Sequence, residues 1–110
     1  MRLCFAIVIP GVALPAILDL SQVTETVYEI NRINVPVPGR RLGYGRHLLS
    51  QCLAQADDEG ITLRLTINPS GKMSYDELQA WYERNGFVYD PRVDSPNRYY
   101  FVREPQSEDP

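Results

Sequence analysis

The stretch Arg40-Arg41-Leu42-Gly43-Tyr44-Gly45-Arg46-His47 decides how this chain is read. Two glycines stand one residue apart among three arginines. Upstream, Glu25–Val35 alternates between two faces. Val27, Glu29, Asn31, Ile33 and Val35 share one, and Tyr28, Ile30, Arg32 and Asn34 the other. A period of two predicts a strand. Pro36 and Pro38 end it, because neither can donate a backbone hydrogen bond to a ladder. From Gly43 the period changes. Leu48, Leu49, Cys52, Leu53 and Ala56 fall on one helical face, and Gly60 supplies the stop. The stretch Arg40–His47 is thus expected to turn a strand into a helix.

Such a turn suits an anion. The first amides of a helix have no partner within it and point outward, and the dipole adds partial positive charge there. Glycines let the backbone approach a phosphate closely. Arginines add charge-assisted hydrogen bonds. Two common nucleotide motifs are excluded. A P-loop needs lysine and then Ser or Thr after its last glycine, and Arg46-His47 follow Gly45 instead. The dinucleotide fingerprint needs a third glycine, and Leu48 stands there.

Working outward, Arg2–Ile9 reads as a strand with a turn at Pro10-Gly11. Val12–Leu20 suits a strand, while Ala16–Gln22 also suits a helical turn. The uncharged run Leu3–Leu18 behind Arg2 resembles a short signal peptide, but prolines interrupt it and it is short for a membrane span. Buried strands in a cytoplasmic protein are the preferred reading. Ile61–Asn68 is a further strand, and Pro69, Ser70 and Gly71 form a loop. Ser74 and Glu77 match a capping box, opening a helix that ends near Asn85-Gly86. Phe87–Tyr89 and Arg98–Val102 are short strands, and Glu104–Pro110 is expected to be a disordered acidic tail. The expectation is one α/β domain over residues 1–110. It has a mixed, mostly antiparallel sheet with one parallel strand-helix-strand unit.

With 110 residues the chain suits a single domain, and a net charge of −3 gives no argument for nucleic acid or an anionic membrane as partner. Lys72 is the only lysine, so any basic site must be a local arginine cluster. Cys4 and Cys52 lack metal spacing and are expected to be reduced core residues. Asp57-Asp58-Glu59 reads as a solvated helix end, not a metal site, and no metal is expected. His47 is expected to be solvent- or phosphate-facing, without a catalytic role.

A second motif lies downstream: Tyr82-Glu83-Arg84-Asn85-Gly86-Phe87, or Tyr-x-x-x-Gly-Phe. With Arg40-x-x-Gly43-x-Gly45 and the intervening elements, it resembles the GNAT superfamily of coenzyme A-dependent N-acetyltransferases across Glu25–Val102. The resemblance implies acetyl-coenzyme A as co-substrate. Its pantetheine arm would lie on the backbone of Ile33, Asn34 and Val35. Its pyrophosphate would sit on the turn Arg41, Leu42, Gly43, Tyr44, Gly45 and Arg46, flanked by Arg40. Tyr82 would donate to the departing thiolate, although an aromatic beside Leu78 and Trp81 is also what a helix packs into a core. Glu29, on the face of Val35 in a regular strand, would take the amine proton unless it is structural. The implied activity is direct acetyl transfer to a primary amine of an unidentified acceptor. The alternative is a weak or inactive module of the same fold that binds coenzyme A or a protein. Two departures stand out. The superfamily usually opens with a strand and two helices, and here a short apolar segment precedes the long strand, which suggests a reduced acceptor lobe or a homodimer. Tyr75 stands where many members have asparagine.

Overall fold

The apolar N-terminal run folds as a hairpin. β1 (Cys4–Ile7) pairs antiparallel with β2 (Ala16–Gln22), with Phe5 opposite Leu18. Gly11 turns the chain between them at φ +76°, a conformation that costs glycine little. The Ala16–Gln22 segment, which suits two states on paper, is therefore a strand: its alternating Ala16, Leu18 and Leu20 are buried. This computed structural model describes residues 1–69, 73–93, 95–96 and 98–106. Ser70 and Gly71 of the expected loop lie outside them, as do residues 107–110 of the expected tail.

β3 (Val27–Asn34) comes next, then a 3₁₀ turn at Val37–Gly39 and α1 (Tyr44–Glu59). β4 (Thr62–Thr66), α2 (Tyr75–Arg84), β5 (Val88–Tyr89) and β6 (Tyr100–Arg103) complete the order. The strands form one sheet, β1-β2-β3-β4-β6-β5. Among the described residues only β3 and β4 pair in parallel, and α1 is the crossover that parallel neighbours require. The mixed, mostly antiparallel α/β sheet matches the expectation.

The two faces of the sheet differ. Both helices cover one of them. Leu48, Leu49, Cys52, Leu53 and Ala56 of α1 pack with Phe5, Leu18, Leu63, Leu65 and Phe87, and Leu78, Trp81 and Tyr82 of α2 join the rim. Each large side chain taken fully out of water there contributes roughly 1.5–3 kcal/mol. The other face is polar and paired. Arg32 binds Asp19, Arg64 binds Glu29, and Thr62 donates to Glu104.

Two irregularities of β3 shape the middle of the sheet. First, the strand carries an extra residue. Asp19 pairs with Arg32, but Leu20 pairs with Ile30, so Asn31 is unmatched, a β-bulge. The bulge swaps the alternation. Tyr28 and Ile30 face the core before it, and Ile33 and Val35 pack on the core after it. Glu29 therefore faces away from the side that Val35 takes, correcting the regular-strand expectation. Second, β3 and β4 pair only over Val27–Glu29 and Thr62–Arg64. Beyond that point they part.

Two further expectations need correction. Cys4 is exposed on edge strand β1, because Phe5 takes the inward position; only Cys52 is a core thiol, and burial pushes its pKa up to about 12. Asp57 is not a solvated end. Its carboxylate receives two bonds from Arg103, at 2.7 and 3.1 Å, which hold its pKa below the usual range. Arg103 is 4% exposed and also donates to the Asn85 carbonyl at 2.9 Å, so one buried guanidinium ties the C-terminal ends of both helices. Gln106 N donates to Asp57 as well, so the segment after β6 is held through that residue.

Candidate functional site

The Arg40–His47 stretch builds the open end of α1. Gly43 is the N-cap at φ +86°, and no side chain caps the helix. The first turn holds no acidic residue. His47 N bonding Gly43 O closes the first helical turn, so the amides before it, Tyr44 to Arg46, have no intrahelical acceptor. Arg40, Arg41 and Arg46 are exposed around them. Arg41 sits at φ +67°, where a side chain is strained, and such outliers concentrate at functional turns.

This turn rests on the end of β3. A Cβ added to Gly45 would meet Val35 Cγ2 at 3.8 Å and Ile33 Cγ2 at 3.9 Å. Arg40 Nε donates to the Val35 carbonyl at 3.1 Å, pinning the turn to the strand. The structure thus brings together Ile33, Val35, Arg40, Gly43 and Gly45. Asn34 pairs with Ile17 and faces the other side, opposite the core side of Ile33 and Val35. Tyr44 packs on the core rim, while Leu42 and His47 are exposed.

Where β3 and β4 part, a cleft of about 320 Å³ opens, lined by Glu29, Asn31, Asn68, Tyr75, Arg98 and Tyr99 among others. Glu29 Oε1 accepts from Arg64 Nε at 2.8 Å, so this carboxylate is already ion-paired. Tyr82 lies on the other side, in the helical layer. Its ring stands 5.0 Å from Trp81 and meets Phe87 edge-on at 5.6 Å. Desolvation pushes its phenol up to about 12, so it is a hydrogen-bond donor and never a phenolate near neutral pH. Tyr82 and Glu29 share no contact and belong to opposite faces, with the β3–β4 gap between those faces.

No family model and no curated protein sequence matches the chain. Solved structures do. The ribosomal-protein-S18-alanine N-acetyltransferase of Escherichia coli superposes with a TM-score of 0.71 at 22% identity, over 98% of this chain and 73% of that one. The fold is that of the GNAT N-acetyltransferases. N-acetylglutamate synthase from Neisseria gonorrhoeae, solved with coenzyme A and N-acetyl-glutamate, matches with a TM-score of 0.62 at 21% identity; this chain covers only 23% of it. The anti-CRISPR protein AcrVA5 matches over 96% of its own length, at 24% identity and a TM-score of 0.63.

Within this GNAT-type sheet, sequence reasoning found Glu29 and Tyr75 of the cleft and missed the rest of its charged and aromatic lining. Arg98 and Tyr99, which line the cleft, and Arg64, which holds Glu29 there, carried no motif. One signal was available: Arg64 is the only charge in the apolar alternation of β4. The parallel register that sets it beside Glu29 has no local signature. Among the described residues no group of His, Cys, Asp and Glu could hold a metal, and no helix is long and apolar enough to cross a membrane.

Proposed function

We propose that this chain is an acetyl-coenzyme A-dependent N-acyltransferase that acts on a primary amine. The observation that carries the reading is the uncapped N-terminus of α1, aimed beside the end of β3 and flanked by arginines. A diphosphate fits there for physical reasons: unpartnered amides, favourable dipole, no competing carboxylate. Backbone groups of Ile33, Asn34 and Val35 would bind the pantetheine arm, and the amides of Arg41 through Arg46 the pyrophosphate.

In the reaction the amine nitrogen attacks the thioester carbonyl carbon. A C–N bond forms and the C–S bond breaks. The Val35 amide polarises the carbonyl oxygen as charge develops on it. Tyr82 donates its proton or a hydrogen bond to the departing sulfur, and its raised pKa keeps the phenol in its protonated, donating form. Glu29, or water beside it, takes the amine proton. Acetyl-coenzyme A should stabilise the fold by about 2.7 kcal/mol at 100 times its Kd. A thermal melt and titration calorimetry test this. No shift and no heat with any acyl-coenzyme A would end the reading.

One observation favours a second reading, a coenzyme A-binding module with no turnover. Glu29 Oε1 is already engaged by Arg64 at 2.8 Å, so this carboxylate is partly committed to an ion pair. Thiol release across an amine panel, compared with Tyr82→Phe, separates the two. Cytoplasmic residence fits two free cysteines. β1 is a sheet edge beside exposed Leu3 and Val8, which favours a homodimer, and sedimentation would read it.

A further inference from the structure

Four residues form a row across the open face of the sheet: Glu29 on β3, Arg64 on β4, Tyr100 on β6, and Arg98 just before it. Arg64 Nε holds Glu29 Oε1 at 2.8 Å, and its guanidinium lies over the Tyr100 ring, 4.8 Å from the centroid. Arg98 Nη1 donates to the Tyr100 hydroxyl at 3.4 Å, a long bond. Both ends of the row, Glu29 and Arg98, line the cleft. They differ in how far they are committed. Glu29 gives one oxygen to Arg64, and its Oε2 is in no hydrogen bond among the described residues. Arg98 is in no ion pair among the described residues. Tyr100 first, and Glu29 more weakly, favour its charged form.

The cleft thus offers a carboxylate oxygen and a guanidinium within one opening. Their complement is a molecule that carries both an ammonium and a carboxylate. A polyamine is a poor complement, because Arg64 and Arg98 place two positive charges against the one carboxylate. A guanidinium also matches a carboxylate in geometry, as a fork. We propose that the cleft takes an amino-acid-type acceptor, with its amine at Glu29 and its carboxylate on Arg98. This substrate class rests on the acetyltransferase reading above. It gives Arg64 a role as positioning residue for Glu29.

The test is thiol release from acetyl-coenzyme A with glutamate, an acid-first tripeptide, putrescine and ethanolamine. Glutamate or the peptide should exceed putrescine in kcat/KM by roughly tenfold or more. Which of those two is faster tells a free amino acid from a chain terminus. Arg98→Gln should raise KM for the acidic acceptor about tenfold with a much smaller change in kcat, and Arg98→Lys should restore part of it. Preference for putrescine, or an unchanged KM in Arg98→Gln, overturns the proposal. If acetyl-coenzyme A does not bind at all, the transferase reading fails separately. Glutamate titrated by NMR into the unloaded protein then reads the cleft alone. Shifts at Glu29 and Arg98 that vanish in Arg98→Gln sustain the amino-acid site, and their absence removes it.

Discussion

The two helices of this chain begin in opposite ways. α2 is closed at its N-terminus. Ser74 Oγ accepts from Glu77 N at 3.2 Å, Glu77 Oε1 accepts from Ser74 N at 3.1 Å, and Asp76 adds negative charge to the first turn. α1 has none of this. It starts on a left-handed glycine, lacks a side-chain cap, and is surrounded by cations where α2 has anions. Orphan amides must be satisfied by something. α2 caps the Glu77 amide and its own N-cap amide with side chains and sets Asp76 and Glu77 against any anion. α1 has no side-chain cap and no acidic residue in its first turn, as the proposed anion site requires.

In the proposed reaction α2 contributes at its other end, through Tyr82. Tyr82→Phe keeps the ring contacts with Trp81 and Phe87 and removes only the hydroxyl. It should lower kcat about 300-fold with little change in the KM for acetyl-coenzyme A. The pH profile sharpens this. With the phenol raised to about 12, no alkaline loss of activity below about pH 10 can come from Tyr82. An alkaline limb near pH 10 that disappears in Tyr82→Phe would mean that the phenol serves as the acid but titrates near its ordinary value, so that burial does not raise it.

Giving α1 the kind of cap that α2 has is the next test. Gly43→Asp puts a carboxylate where the anion is expected, at a left-handed position that Asp tolerates better than most residues. Affinity for coenzyme A should fall about 100-fold, or about 2.8 kcal/mol. Calorimetry that finds unchanged affinity would mean that α1 is not the anion site. The reciprocal change, Ser74→Ala, should cost about 1 kcal/mol of folding stability by urea titration. It should leave coenzyme A affinity where it was. The smallest effect is expected of Arg40→Ala, about threefold in affinity, because an exposed charge adds little to what backbone amides supply. If Arg40→Ala costs more than Gly43→Asp, the arginines and not the amides do the binding.

Much of the contrast is legible in residue order. Ser74 and Glu77 stand at capping-box spacing, Gly60 and Gly86 at helix ends, and the change of period at Gly43 separates strand from helix. Those signals are local, so they survive in one dimension. What stayed hidden is non-local. Arg103 and Asp57 meet across 46 residues, and Arg64 and Glu29 across 35. The first pair depends on how α1 packs beside β6, the second on which strands are neighbours and in what register, and no spacing encodes either. The bulge at Asn31 is an intermediate case. Ile30 and Ile33 both turn toward the core although three residues apart, which a regular strand forbids.

Asn31 also has an arithmetic consequence. Remove it, and Ile30, Arg32 and Ile33 fall into plain alternation with every apolar side chain still inward. The core gains nothing from this residue, whose exposed side-chain amide donates to Ser21 Oγ at 2.7 Å. The spare position lies where β3 stops following β4, at the lip of the cleft. Deleting it should leave a protein that folds, with a straighter strand free to zip against its parallel neighbour and seal the opening. In that sense the length of β3 is set one residue longer than its core needs, and the surplus is the width of the mouth.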